Sequence, residues 1–264
     1  MKAQHLIPLL LSWTTLALPT SNPKIQASEK RTHPSSSSSS PNDHDPPAPI
    51  PSCQIPHNYN DTKSYCVPPV KFNATLLDSY LCGDSRLGPV KLPSIIPLVS
   101  TVSFYHRFGP SHLCPAEFLN KYWNSNATKP GRWFFPEHDG FALDIAGNPI
   151  TGKYSLEVGT LVDRFGDPTG RFVSPAATPY IERALPPNNL DTPQDNPQVP
   201  YNYHLYSVAI AFDVEAGPIA PWFEQPGQGV QYHLPENKRV QDLVDSGYLV
   251  EIDRLELDKP TGED

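Results

Sequence analysis

Three stretches of the sequence gather arginine, glycine and aromatic residues more densely than packing requires. The first is Gly131-Arg132-Trp133-Phe134-Phe135-Pro136-Glu137-His138-Asp139-Gly140-Phe141. The second runs from Leu161 through Asp163, Arg164, Phe165, Arg171 and Phe172 to Pro175, and continues through Arg183 to Pro187. The third is Gly217 to Tyr232, with Trp222, Glu224, Gln225, Gly227, Gly229 and Gln231. Arginine forks match phosphate oxygens bidentately. Aromatic faces such as Phe165, Phe172 and Trp222 stack on a base or a pyridine ring. Glycines at 227 and 229 permit a tight backbone that brings Gln231 close to a ligand. These residue types fit a site for a phosphorylated, ring-bearing ligand. They also fit a plainer pattern, a hairpin ion pair among Asp163, Arg164 and Arg171 followed by Gly-Pro turns.

The elements that must position these residues are short. The 264 residues include 33 prolines and only 15 glycines, which excludes a long helical bundle and favours strands, turns and extended loops. Leu98 to Tyr105 is β-branched and aromatic and predicts a strand. Pro115 to Trp123 predicts a helix, with Pro115 in its first turn and Phe118, Leu119 and Tyr122 on one face. Tyr203 to Phe212 alternates as a strand. Val240, Leu243 and Val244 recur at helical spacing before Gly247, a C-cap position, and Tyr248, Val250 and Ile252 predict a closing strand. The expected fold is α+β: a twisted, mainly antiparallel sheet with an N-terminal disulfide-stapled arm. With 20 Lys+Arg against 28 Asp+Glu, the net charge of −8 excludes a protein built to neutralise nucleic-acid phosphates.

Lys2 and the apolar run Leu6 to Leu18 read as a secretory signal over residues 1–18, too short to span a bilayer. No second apolar stretch approaches a membrane span. The Ser- and Pro-rich tail at 19–51 has little apolar surface to bury and reads as disordered. Residues 52–96 form a cysteine-bearing arm, and 97–264 the main domain. Sequons at Asn60, Asn73 and Asn126 agree with secretion. In that compartment Cys53, Cys66, Cys82 and Cys114 read as two disulfides, since no CxxC or HExxH pattern points to a metal. Of three possible pairings, sequential closure favours Cys53–Cys66 with Cys82–Cys114.

The motifs Asp163-Arg-Phe-Gly-Asp-Pro-Thr-Gly-Arg-Phe-Val-Ser-Pro175, Arg183-Ala-Leu-Pro-Pro187 and Ala220-Pro-Trp-Phe-Glu-Gln-Pro-Gly-Gln-Gly-Val-Gln-Tyr232 resemble the tuberculosis-necrotizing-toxin domain of secreted NAD glycohydrolases, including fungal surface members. The resemblance covers about Pro97 to Asp253. It implies hydrolysis of NAD+, and of NADP+ as well, to the ADP-ribose product and nicotinamide. By the same resemblance Arg164 binds phosphate and Arg183 completes the clamp. Phe165 walls the ribose or nicotinamide pocket, Phe172 takes the aromatic position that is tyrosine in the bacterial toxin, and Gln231 is the essential glutamine. Gln225 is its less favoured substitute. The fungal relatives further imply a homodimer, retention at the cell or spore surface, and calcium at the C-terminus. There Asp253, Glu256 and Asp258 offer hard oxygen ligands. The cleavage itself requires no cofactor. Alternatives are an ADP-ribosyl transferase or cyclase, for which Glu224 is the candidate carboxylate, and a non-catalytic binding module of the same fold.

Overall fold

The computed structural model describes residues 65–94, 96–110, 113–126 and 131–252. The expected signal and tail, Cys53, Asn60 and the acidic positions Asp253, Glu256 and Asp258 lie outside the described residues.

After short 3-10 turns between residues 74 and 87 come two helices, α1 (Leu98–Val102) and α2 (Pro115–Tyr122), followed by the small pair β1 (Trp123–Asn124) and β2 (Arg132–Trp133). The main sheet follows: β3 (Gly152–Leu156), β4 (Leu161–Phe165), β5 (Phe172–Pro175), β6 (Tyr203–Val208), β7 (Phe212–Pro218), β8 (Val230–His233) and β9 (Leu249–Glu251). Helix α3 (Tyr180–Arg183) lies between β5 and β6 in sequence, and α4 (Val240–Asp245) between β8 and β9. The seven strands are ordered β3-β7-β8-β5-β4-β6-β9, and every neighbouring pair is antiparallel. The α+β antiparallel expectation holds.

Side chains alternate between the faces of a strand, and both faces are covered at the sheet's centre. Val162, Val173, Tyr206, Tyr232 and Leu249 pack with Val240 and Leu243 of α4. Phe165, Tyr203 and Leu205 pack on the other side with Leu98 and Val102 of α1 and Tyr180 of α3. A further core joins the N-terminal arm to α2, with Leu81, Leu87, Phe118 and Tyr122 packed around Trp133 and Phe223.

Three expectations are corrected. Leu98–Val102 is helical, not a strand. Leu98, Thr101 and Val102 are buried at helical spacing, and the hydroxyls of Ser100 and Thr101 donate to the carbonyls of Pro97 and Leu98, so packing and local bonds override β propensity. The disulfide is Cys66–Cys82, which excludes both expected pairings. The turns Ala74–Leu76 and Leu81–Gly83 fold the arm back on itself, Asn73 N donates to Cys82 O at 3.2 Å, and the two Cα atoms come within 5.6 Å. Cys114 is also disulfide-bonded. In the closing strand the buried side chain is Leu249, while Val250 is 53% exposed. The helix at 115–122 and the positive φ of Gly247 agree with expectation. Asn73 and Asn126 of the sequons are both exposed.

Candidate active site

The β4–β5 hairpin places Arg164. Its Nε donates to Asp167 O at 2.8 Å and its Nη1 to Phe172 O at 2.7 Å, so the guanidinium fills the turn that joins the strands. Gly170 makes that possible: a Cβ there would fall 1.9 Å from Nη2. Burial draws the Arg164 pKa below its ordinary value. Nη2 makes no hydrogen bond to the described residues.

Neighbouring Asp163 points to the opposite face and is fully buried. Its Oδ1 lies 2.6 Å from Arg183 Nη2, and its Oδ2 accepts from Ala177 N at 2.9 Å and Tyr203 OH at 3.0 Å. Burial pushes the Asp163 carboxyl up, against the pull of the Arg183 charge. Arg183, at the end of α3, also donates Nε–H to Thr178 O at 2.9 Å and sits 5.1 Å over the Phe165 ring. The pair forms the floor of the site.

Sheet register explains how Gln231 joins them. Asp163 pairs with Ser174, and Val173 with Tyr232, so Ser174 and Gln231 are next in that ladder. Opposite Gln231 on β7 is Gly217, where a Cβ would meet Ile150 O at 2.2 Å. Gln231 Nε2 donates to Asp139 O at 2.9 Å. The glycine-rich approach to β8 is pinned to α3, with Gly229 N donating to Glu182 O at 3.0 Å. A Cβ on Gly229 would lie 2.8 Å from that same oxygen. Arg183 and Gln231 are thereby held in one local frame.

These residues border a cleft of about 350 Å³ lined by Arg164, Phe172, Arg183, Trp222 and Gln231, all named by the sequence. Phe172 stacks on His233, ring centroids 4.6 Å apart. Trp222 is fixed by its Nε1 donating to Phe134 O at 2.7 Å. Phe165 lines a smaller recess beneath, behind Arg183, and is packed against Tyr180 and Tyr203. Gln225 does not line the cleft; it is buried and donates to His106 O at 2.8 Å. Glu224 is also elsewhere, bound to Lys121 Nζ at 2.5 Å and Tyr122 OH at 2.8 Å. Sequence reasoning did not single out other lining residues, Phe135, Asp139, Gly140, Leu185, Asn189 and Ile219. The run from Gly131 to Phe141 stood out in composition, but nothing in its spacing marked which residue faces a ligand. Among the described residues no cluster of three or more His, Cys, Asp or Glu could hold a metal.

Residues 155–252 match the protein family described as tuberculosis necrotizing toxin. The chain is 50% identical over 182 residues, covering 69% of it and 75% of the relative, to the conidial surface nicotinamide adenine dinucleotide glycohydrolase nadA of Aspergillus fumigatus. The chain belongs to that family of fungal surface glycohydrolases. A solved structure of tuberculosis necrotizing toxin with its immunity factor is 18% identical, with a TM-score of 0.42 over 62% of this chain and 92% of that one. Within this glycohydrolase-family chain, the toxin match spans Arg164, Phe172, Arg183, Trp222 and Gln231. The lining residues Phe135 and Asp139 precede it.

Proposed function

We propose that this protein is a secreted, surface-associated NAD+ glycohydrolase that cleaves the nicotinamide–ribose bond to give ADP-ribose and nicotinamide. The observation that carries the reading is the convergence of Arg164, Phe172, Trp222 and Gln231 on one cleft, in a chain 50% identical over 182 residues to a fungal enzyme of that name.

The chemistry suits the residues. Nicotinamide leaves a cationic ring as a neutral molecule, so no general acid is needed. The protein must hold the dinucleotide, support an oxocarbenium-like ribosyl centre and admit water. Arg164 has committed Nε and Nη1 to the hairpin carbonyls, and we assign Nη2 to a phosphate oxygen. Arg183 sets Nη2 against the Asp163 carboxylate as an ion pair and donates Nε–H to Thr178 O; we assign its Nη1 to complete the clamp. Because Asp163 balances its charge, Arg164 supplies most of the attraction for phosphate. Phe172 and Trp222 flank the rings of the substrate, and Phe165 backs Arg183 from below. Gln231 has committed one N–H to Asp139 O, which leaves its Oε1 to accept from a ribose hydroxyl. Glu224, the carboxylate on which a transferase reading would rest, is engaged by Lys121 and Tyr122 outside the cleft.

NADP+ is accepted beside NAD+, as the resemblance to the family implies. Residues 1–18 direct secretion, 52–96 act as an arm to the 97–264 domain, and Asn60, Asn73 and Asn126 carry glycans. The protein forms a homodimer, and Asp253, Glu256 and Asp258 hold calcium, which no chemical step above uses. Among the described residues no helix is long and apolar enough to cross a membrane. Incubation with NAD+ labelled in its adenylate half tests the reaction class. Label released as free ADP-ribose supports hydrolysis; label retained on protein or in a cyclic product contradicts it.

A further inference from the structure

We propose that the Asp139 carboxylate is the general base of the site, taking a proton from the water that attacks ribosyl C1′. This rests on the glycohydrolase reading and supplies a group that reading lacks.

Three charged residues line the main cleft: Asp139, Arg164 and Arg183. Asp163 lies in the recess beneath, where Arg183, Tyr203 and the Ala177 amide occupy its oxygens. Glu224 is bonded away from the cleft. Asp139 is therefore the cleft's one carboxylate among the described residues. Its side chain makes no hydrogen bond to those residues, and the residue is exposed. A base must be free to meet a water, and Asp139 is.

The backbone beneath it is held in an unusual form. His138, Asp139 and Gly140 take φ of +53°, +55° and +79° in succession, a left-handed run that non-glycine residues rarely adopt. Such strain persists only where surrounding bonds over-determine it. Here Gln231 Nε2 reaches Asp139 O at 2.9 Å, and Ala220 N reaches Gly140 O at 2.9 Å. The turn thus holds the Asp139 backbone beside the glutamine amide, at the edge of the cleft that Asp139 lines.

The step balances. The C1′–N bond breaks with its electron pair passing to the pyridinium nitrogen, which cancels the ring's charge. A water oxygen bonds to C1′, one water proton passes to Asp139, and Asp139 releases it to solvent. NAD+ and water give ADP-ribose, nicotinamide and a proton.

The test uses the full oxidised chain. Asp139→Asn keeps the shape, tolerates a left-handed φ and preserves the carbonyl that Gln231 uses. It is expected to lower kcat by about 100-fold or more, with KM within about threefold of wild type. Asp139→Gly keeps the positive φ and opens space for an external base, so added formate is expected to restore its turnover by at least about tenfold. Wild-type kcat in Asp139→Asn overturns the proposal, as does a raised KM with unchanged kcat, or an Asp139→Gly protein that formate does not help. A wild-type protein that leaves NAD+ intact sinks the glycohydrolase reading as well; an active wild type with an unaffected Asp139→Asn sinks the base alone.

Discussion

Gln231 donates its Nε2–H to the backbone carbonyl of Asp139 at 2.9 Å, so strand β8 and the left-handed turn at 138–140 fix one amide between them. An amide held this way is preorganised, and preorganised groups act without reorganisation in the transition state. Gln231→Ala is expected to lower kcat by about 100-fold while KM stays near wild type. Arg164→Ala is expected to show the opposite emphasis, a raised KM, because a phosphate contact is made equally in the ground state. Steady-state kinetics on both, with melting temperatures beside them, checks the division.

Gly170 makes a sharper test of how Arg164 is held. A Cβ at this position would sit 1.9 Å from the Arg164 Nη2, so Gly170→Ala must expel the guanidinium or open the hairpin. The expected result is a KM raised by at least about tenfold, approaching that of Arg164→Ala. A double variant that adds nothing to Arg164→Ala would show that Gly170 acts through the arginine.

Asp163 and Arg183 are both nearly inaccessible, 0% and 4% exposed. Removing one partner of such a pair leaves an uncompensated buried charge. Asp163→Ala is expected to cost about 3–5 kcal/mol of stability, measured by urea unfolding. A double variant in which both are replaced by apolar residues of similar volume is expected to recover much of that loss, since burying the pair is itself costly.

Asp191 introduces a pH dependence. Burial raises its carboxyl from 3.8 to about 8, opposed by Arg107 and assisted by Asp84. Its folded-state pKa lies above the unfolded value, so the unfolded chain loses this proton first as pH rises. Stability from Asp191 is complete below about pH 4 and declines until about pH 8. Asp191→Asn is expected to gain melting temperature relative to wild type as pH rises across this window, most at its upper end. A constant difference across the window would contradict it.

The sequence was most legible where a local rule coincided with tertiary packing. The helix beginning at Pro115 and the C-cap at Gly247 are local features, and the structure keeps both. Arg164, Phe172, Arg183, Trp222 and Gln231 shared motifs, and they meet in one cleft. Leu98 to Val102 misled because its β-branched residues pack equally well on a helix that the hydroxyls of Ser100 and Thr101 bond back upon. Cys66–Cys82 was hidden because proximity comes from how the turns between them fold, not from order along the chain. Gln225 and Glu224 stand beside Trp222 in sequence, yet left-handed φ at Phe223 and Glu224 turns them toward His106 and helix α2. Asp139 could not be singled out, since its position depends on a bond to Gln231 across 92 residues.

The central claim is most directly tested by quantifying products from NAD+ incubated with the wild-type protein, using chromatography over a time course. The account predicts that nicotinamide and ADP-ribose appear in equal amounts, each matching the NAD+ consumed. It also predicts that Gln231→Ala, run beside it and still folded, is slower by about 100-fold. Intact NAD+ after prolonged incubation with folded wild-type protein would contradict the account, as would nicotinamide released without matching free ADP-ribose.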